Sequence, residues 1–225
     1  MLSEPAASLT DLLLGLVALH FALRLRGTAA GRRHWTAAFG WTAAAALAGA
    51  VHHGFVTFSE EWRDPSWAFV SGLVVVAISY ILAATVLEVL GPGHARTFWV
   101  LRSGSLVAYA VVALLGHAGI QAILLCEGVT MTAVLSLWGL ALHQGHPRAR
   151  AVIIAIGASL VAAVLRAVPW GDLPLGLDAN AVYHLAQIPG VILLYLAVRD
   201  PSPARVTAEP ARIPELATDG AGAPR

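Results

Sequence analysis

The sequence contains no lysine and very little charge of either sign. All 14 basic residues are arginine, and charged residues make up 12% of the 225 positions, against about 25% in soluble domains. Hydrophobic residues account for 58%, and the mean hydropathy is +0.73. Lipid rather than water is the main solvent for such a chain, so we expect a membrane protein. The missing lysine excludes a retinal Schiff base, which forms on a lysine amine.

Cysteine is also nearly absent. Cys126 stands alone, which excludes an internal disulfide and a cysteine-based metal cluster. The first segment, "MLSEPAASLTD", carries Glu4 and Asp11 but no basic residue ahead of the first apolar run. A cleaved signal peptide begins with positive charge, so we interpret this run as a retained helix. The arginines are scattered over short loops, which gives no support to nucleic-acid binding, and the oligomeric state is not predicted.

Seven apolar runs are each long enough to cross a bilayer, which takes about 20 residues. The predicted spans are residues 8–25, 35–58, 66–90, 97–116, 120–143, 149–168 and 179–198. We therefore expect an all-α fold, an integral membrane bundle of seven transmembrane helices that occupies residues 1–199. Residues 200–225 are rich in proline and alanine with scattered charge, which predicts a disordered cytoplasmic tail.

The arginines alternate from one side of the predicted bundle to the other. The arginine-rich side carries Arg24, Arg26, Arg32, Arg33, Arg96, Arg102, Arg148, Arg150, Arg199, Arg205, Arg212 and Arg225. The other side carries only Arg63 and Arg166, among several acidic residues. Since arginine-rich loops stay in the cytoplasm, the N-terminus is predicted outside and the C-terminus inside the cell. The wealth of alanine, glycine and arginine suggests a bacterium, so we expect the inner membrane.

Polar residues from five of these spans fall at the same predicted depth, in the outer half of the membrane. They are Asp11, His52, His53, His117, Gln121, Glu127, His184 and Gln187. A charged side chain at mid-bilayer costs about 2.5 to 3.5 kcal/mol, so such groups normally face the bundle interior and pair. We expect these side chains to meet in a site for a metal or a polar ligand head group.

Within this set, His53 and His184 form the pair that most strongly indicates metal ligands, with His52 or His117 as a third. His184 and Gln187 are three residues apart and share a helix face, so Gln187 is predicted to contact a ligand. Plainer interpretations stay open beside these. His117, at a predicted helix end, can simply reach water or head groups. A carboxylate near a helix start, such as Asp11, often caps the helix.

The arrangement resembles the CREST superfamily, which contains the alkaline ceramidases and the progestin and adiponectin receptor family. Members have seven spans, a histidine near the end of span two preceded four residues earlier by serine, an aspartate in span three and H-x-x-x-H in span seven. Here His53 and His184 match two of these positions, whereas Gly49 replaces the serine and Ile188 the last histidine. Span three has no aspartate, and Glu88 lies at its cytoplasmic end. The resemblance implies a membrane-embedded, zinc-dependent hydrolase.

Three functions remain open on the sequence. In the first, the chain hydrolyses a lipid amide or ester with zinc, and Asp11 or Glu127 is the catalytic base. In the second, it is a non-enzymatic sensor that binds a lipid-like or small hydrophobic ligand. In the third, His53 and His184 ligate a haem for electron transfer, which requires two facing imidazoles. A transporter is less favoured because few polar residues fall in the inner half. In every case membrane lipids are the expected partners.

Overall fold

The computed structural model describes residues 2–26, 32–116, 120–170 and 173–200. Within these ranges the chain forms seven α-helices joined by short turns, and no strand. The helices are α1 (Pro5–Leu25), α2 (Arg33–Val51), α3 (Glu60–Val89), α4 (Ala95–Leu114), α5 (Ile120–His143), α6 (Ala149–Ala167) and α7 (Ala179–Val198). The all-α prediction is confirmed. The predicted disordered tail lies, apart from Asp200, outside the described residues.

Four of these helices, α1, α3, α6 and α7, are long and apolar enough to cross a membrane. In α4 the apolar part is shorter and covers Phe98–Leu114. Many large apolar side chains point away from the protein, among them Phe55, which is 65% exposed, and Leu114, which is 88% exposed. Exposed apolar patches of this kind indicate contact with something other than water. The outward faces of the helices are therefore suited to lipid.

The helices pack as a closed ring of six with one helix outside it. In the ring α1 packs on α2, α2 on α3, α3 on α5, α5 on α6, α6 on α7, and α7 on α1. Helix α4 packs against the outside of α3 and α5. At Gly190 of α7 a Cβ atom would overlap the Ser159 hydroxyl of α6, so these two helices approach as closely as small residues permit.

A buried ion pair joins the ring at one end. Glu88, near the end of α3, lies 2.6 Å from Arg148, which precedes α6. The other carboxylate oxygen accepts a hydrogen bond of 3.0 Å from the indole of Trp35 in α2. Both charged side chains are buried, so each depends on the other for compensation. This end of α3 is far along the helix from Trp67, beside which the predicted histidines lie.

Candidate metal and ligand site

The two adjacent histidines of the sequence lie in a π-helical turn that extends α2. The turn covers His52–Val56, and both imidazoles are buried. A π-turn holds one residue more than an α-turn and is frequent at functional sites. Its extra residue changes the direction of the side chains relative to a continuous α-helix, so His52 and His53 turn to different neighbours.

The segment before α1 is hydrogen-bonded to this turn. The backbone N–H of Ser3 donates to Gly54 O at 3.1 Å, and that of Glu4 donates to His53 O at 3.0 Å. Glu4 is the N-cap residue and α1 begins at Pro5, earlier than predicted. Asp11 therefore lies nearly two turns inside α1, and the interpretation of Asp11 as a helix cap was wrong.

Three side chains from α1, the π-turn and α7 meet in the interior. Asp11, His53 and His184 are 5%, 7% and 8% exposed, and each offers one potential ligand atom within 4.8 Å of the others. His184 Nε2 lies 3.4 Å from Asp11 Oδ1, and His53 Nε2 lies 4.0 Å from Asp11 Oδ2. The two imidazole rings are 5.9 Å apart between centroids. We call these three residues the Asp-His-His cluster.

A second pair of residues determines which ring nitrogens of this cluster carry protons. Glu4 Oε2 lies 2.5 Å from His53 Nδ1, and an ionised carboxylate can only accept a hydrogen bond. Thr10 Oγ1 lies 3.2 Å from His184 Nδ1. The single hydroxyl proton of Thr10 is directed to the backbone carbonyls of its own helix, so the hydroxyl accepts from the ring. In its neutral form each histidine therefore holds its proton on Nδ1.

The consequence is that each Nε2 presents a lone pair to the Asp11 carboxylate. When Asp11 is ionised, two imidazole lone pairs and a carboxylate face one another with no donor among these three side chains, an arrangement that a cation stabilises. Zinc accepts such ligands at about 2.0–2.2 Å with tetrahedral geometry, which separates ligand atoms by roughly 3.3 Å. The present atoms lie within 4.8 Å of one another, so their separations would have to shorten by up to about 1.5 Å. Three protein ligands leave a fourth position open, as in catalytic zinc sites.

Gly49 occupies the position at which the resemblance to the CREST superfamily would imply a serine. A Cβ atom at Gly49 would overlap Asp11 Oδ2. A serine at this position is therefore incompatible with the Asp11 carboxylate where it stands. In this chain the carboxylate of α1 fills the space that a side chain on α2 would otherwise occupy.

The cluster opens into a cavity of about 330 Å³ in the middle of the ring. Asp11, His53 and His184 line it at one end, and Phe39, Ile81 and other apolar side chains line the rest. Its volume is at the lower end of the range for small-molecule sites. The predicted ligand contact Gln187 and the predicted base Glu127 also line this cavity.

The remaining predicted site residues lie elsewhere. His52 is outside the Asp-His-His cluster: its Nδ1 is 3.1 Å from Ser66 Oγ, and its ring is 5.6 Å from that of Trp67. His117 lies outside the described residues, and the side chain of Gln121 is likewise not described. Sequence reasoning missed the roles of Glu4 and Thr10, although an acid directly before a proline at a helix start was visible as a signal.

Comparison with known proteins places the chain in a single family. The model of DUF6962, a family of unknown function, matches residues 6–203. This range includes Asp11, His53 and His184 but not Glu4. No curated protein matches the chain, and no solved structure matches it.

Proposed function

The chain belongs to DUF6962, a family of unknown function, and we propose its function from the geometry of the site. We propose that this protein is a zinc-dependent hydrolase that cleaves an acyl amide or ester within the membrane. The observation that carries the proposal is the Asp-His-His cluster, whose lone pairs converge at the polar end of an otherwise apolar cavity. The distant resemblance to the CREST superfamily is consistent with this proposal, but only His53 and His184 match the histidine positions of that superfamily.

The proposal includes a seven-span topology with the N-terminus outside and the C-terminus in the cytoplasm of a bacterial cell. Four long apolar helices, the exposed apolar side chains and the alternation of arginine between loops support it. In this orientation the cluster lies in the outer half of the membrane and the Glu88–Arg148 pair lies near the cytoplasmic surface.

Asp11, His53 and His184 would hold the metal, so Asp11 serves as a ligand rather than as the base. When bound there, zinc lowers the pKa of a coordinated water to about 7 and polarises a carbonyl group. Glu127, on the α5 wall of the same cavity, is then the carboxylate available to accept the proton of the attacking water. It would return this proton to the leaving amine or alcohol.

The apolar part of the cavity would receive the acyl chain. Along α7 the lining runs from His184 to Leu194, a distance of about 15 Å at 1.5 Å per residue. The walls of this region are mainly apolar, which favours hydrocarbon over water. One chain fits this space, with its linkage to the head group at the level of the cluster.

The geometry argues against a haem between the two histidines. Asp11 oxygens lie 3.4 and 4.0 Å from the Nε2 atoms of His184 and His53. A bis-histidine haem needs its macrocycle in the space between those nitrogens, and the carboxylate already occupies it.

An assay of the purified protein tests the proposal. Zinc-loaded protein in nanodiscs is incubated with a panel of fluorogenic medium-chain acyl amides and esters. We expect turnover that falls in His184→Ala by more than the roughly 10- to 100-fold typical of outer-shell changes. His143 is an exposed histidine at the C-terminal end of α5, so the control variant His143→Ala should keep wild-type turnover. Absence of turnover across the panel, or equal turnover in His184→Ala, would overturn the proposal.

A further inference from the structure

The cavity contains one feature that hydrolysis alone does not require, an arginine at its polar end. Arg166 lies in the last turn of α6 and is the one arginine among the described residues that line this cavity. Its side chain is half-buried. Other buried or half-buried arginines of the described chain have partners, such as Arg148 with Glu88 and Arg102 with Ser79.

Arg166 makes no hydrogen bond or ion pair with any residue that the structure describes. A partly buried guanidinium whose five donors have no partner in the described part of the chain is unusual, because desolvation of a charge is costly without a partner. An arginine in this state is available to a ligand.

The helix register places Arg166 next to the cluster. Helices α6 and α7 are antiparallel neighbours, and Gly190 faces Ser159. Seven residues back along α7 is Tyr183, and seven residues forward along α6 is Arg166, so these two lie at about the same level. Arg166 is therefore beside His184 and slightly towards the predicted outer surface, whereas the apolar chamber extends in the other direction.

Neutral hydrogen-bonding groups of the facing helix line the cavity with Arg166, and Glu127 lines it from α5. Asn180, Tyr183 and Gln187 follow one face of α7 and all line the cavity. Together with Arg166 they form a polar collar around the site, at the end opposite Leu194. The cavity is thus amphiphilic along its length, with a cation at the polar end and hydrocarbon at the other.

We propose that Arg166 is the head-group subsite of this cavity and selects amphiphiles with one chain and an anionic head, a carboxylate or a phosphate monoester. A guanidinium binds either group through two parallel hydrogen bonds. The binding of the anionic head does not depend on the proposed hydrolysis. Only the position of the bond to be cleaved rests on the proposed function. That bond would join the chain to the anionic head, beside the Asp-His-His cluster.

Equilibrium binding of non-hydrolysable probes tests this subsite. Radiolabelled dodecyloxyacetate, dodecyl phosphate and neutral 2-dodecyloxyethanol share a chain and differ in the head. Each is titrated into protein in phosphatidylcholine nanodiscs, with empty nanodiscs subtracted. We expect at least one anionic probe to bind wild type about tenfold more tightly than the neutral probe, as one charge-assisted contact predicts. The tighter of the two anions identifies the head group.

Variants assign this preference to the guanidinium. Arg166→Gln should bind all three probes alike, whereas Arg166→Lys, which keeps the charge, should retain a preference for the anion. Arg150→Gln removes an exposed arginine from the other end of the same helix and should bind like wild type. Equal binding of all probes by wild type, or an anion preference that survives in Arg166→Gln, would overturn the inference.

One further variant separates the subsite from the proposed hydrolase. His184→Ala removes a proposed zinc ligand, so an anion preference that persists in it belongs to Arg166 and not to a metal. If wild type shows the preference but no turnover of any amide or ester, the hydrolase proposal fails and the subsite stands. If wild type hydrolyses acyl substrates without any preference for an anionic head, the subsite fails and the hydrolase proposal stands.

Discussion

Thr10 Oγ1 of α1 lies 3.2 Å from His184 Nδ1 of α7, across 174 residues of sequence. The hydroxyl gives its proton to the carbonyls of Ala6 and Ala7 and can only accept from the imidazole. The contact fixes both the tautomer and the orientation of the ring. Glu4 does the same for His53 from the segment before α1. The first helix therefore supplies one proposed ligand, Asp11, and an outer partner for a second.

The first prediction concerns these outer partners. Glu4→Gln and Thr10→Val should each weaken zinc affinity about 10- to 100-fold, because ring orientation and basicity depend on such hydrogen bonds in metal sites. Competition with a chromophoric chelator measures the affinity. Glu61→Gln and Thr36→Val are the matched controls, since Glu61 is exposed and the Thr36 hydroxyl donates to the backbone carbonyl of Arg32. Equal affinities in all four variants would show that the outer contacts do not orient the rings.

A second prediction uses two glycines of α2. Gly49→Ala places a methyl group against the Asp11 carboxylate, so it should displace the carboxylate and abolish stoichiometric zinc binding. Gly40→Ala is the control because a Cβ there meets nothing within 4 Å, and it should leave zinc binding unchanged. Zinc content after dialysis checks both. Full zinc binding by Gly49→Ala would contradict the position assigned to Asp11.

The third prediction separates stability from the site. Glu88→Gln leaves the buried Arg148 charge without compensation, which should destabilise the protein by about 3 kcal/mol. For a chain of this size the corresponding fall in unfolding temperature is about 6 to 12 °C. Scanning fluorimetry in detergent measures it, and zinc affinity of the folded protein should stay at the wild-type value. A stable Glu88→Gln protein would show that this pair does not hold the inner end of the ring together.

A fourth prediction tests the topology. A fluorescent protein fused after Arg225 should fluoresce in bacterial cells, and alkaline phosphatase fused at the same point should be inactive. Phosphatase fused after Ser59, the residue before α3, should be active because the turn between α2 and α3 is predicted outside. The reverse pattern would invert the orientation and place the Asp-His-His cluster in the cytoplasmic half.

The sequence was sufficient for the helices because hydropathy alone identifies long apolar runs. Each of the seven predicted runs corresponds to a helix in the described chain, with shifts at ends such as that of α3, which begins at Glu60. Hydropathy also indicates the depth of a polar residue along the bundle. For this reason the amino-acid pattern alone was enough to group His53 with His184.

The depth of a residue in the bundle does not determine the direction in which its side chain points. The site residues that were missed or misassigned from the sequence depended on that direction. His52 and His53 have the same depth, but the π-turn directs only His53 to Asp11. The pattern contained no sign of that turn. Thr10 resembled an ordinary residue of an apolar helix, and its role appears only when α7 packs on α1. The overlap at Gly49 likewise depends on how α1 and α2 approach each other.

The central claim is that Asp11, His53 and His184 hold one metal ion. The most direct measurement is elemental analysis of the purified protein after zinc loading and dialysis, combined with zinc-edge X-ray absorption. The account predicts about one zinc per chain, bound by two imidazoles and oxygen ligands at roughly 2.0–2.2 Å, and its loss in the His53→Ala and His184→Ala variants. Less than about a tenth of an equivalent in wild type, or undiminished zinc in both variants, would contradict it.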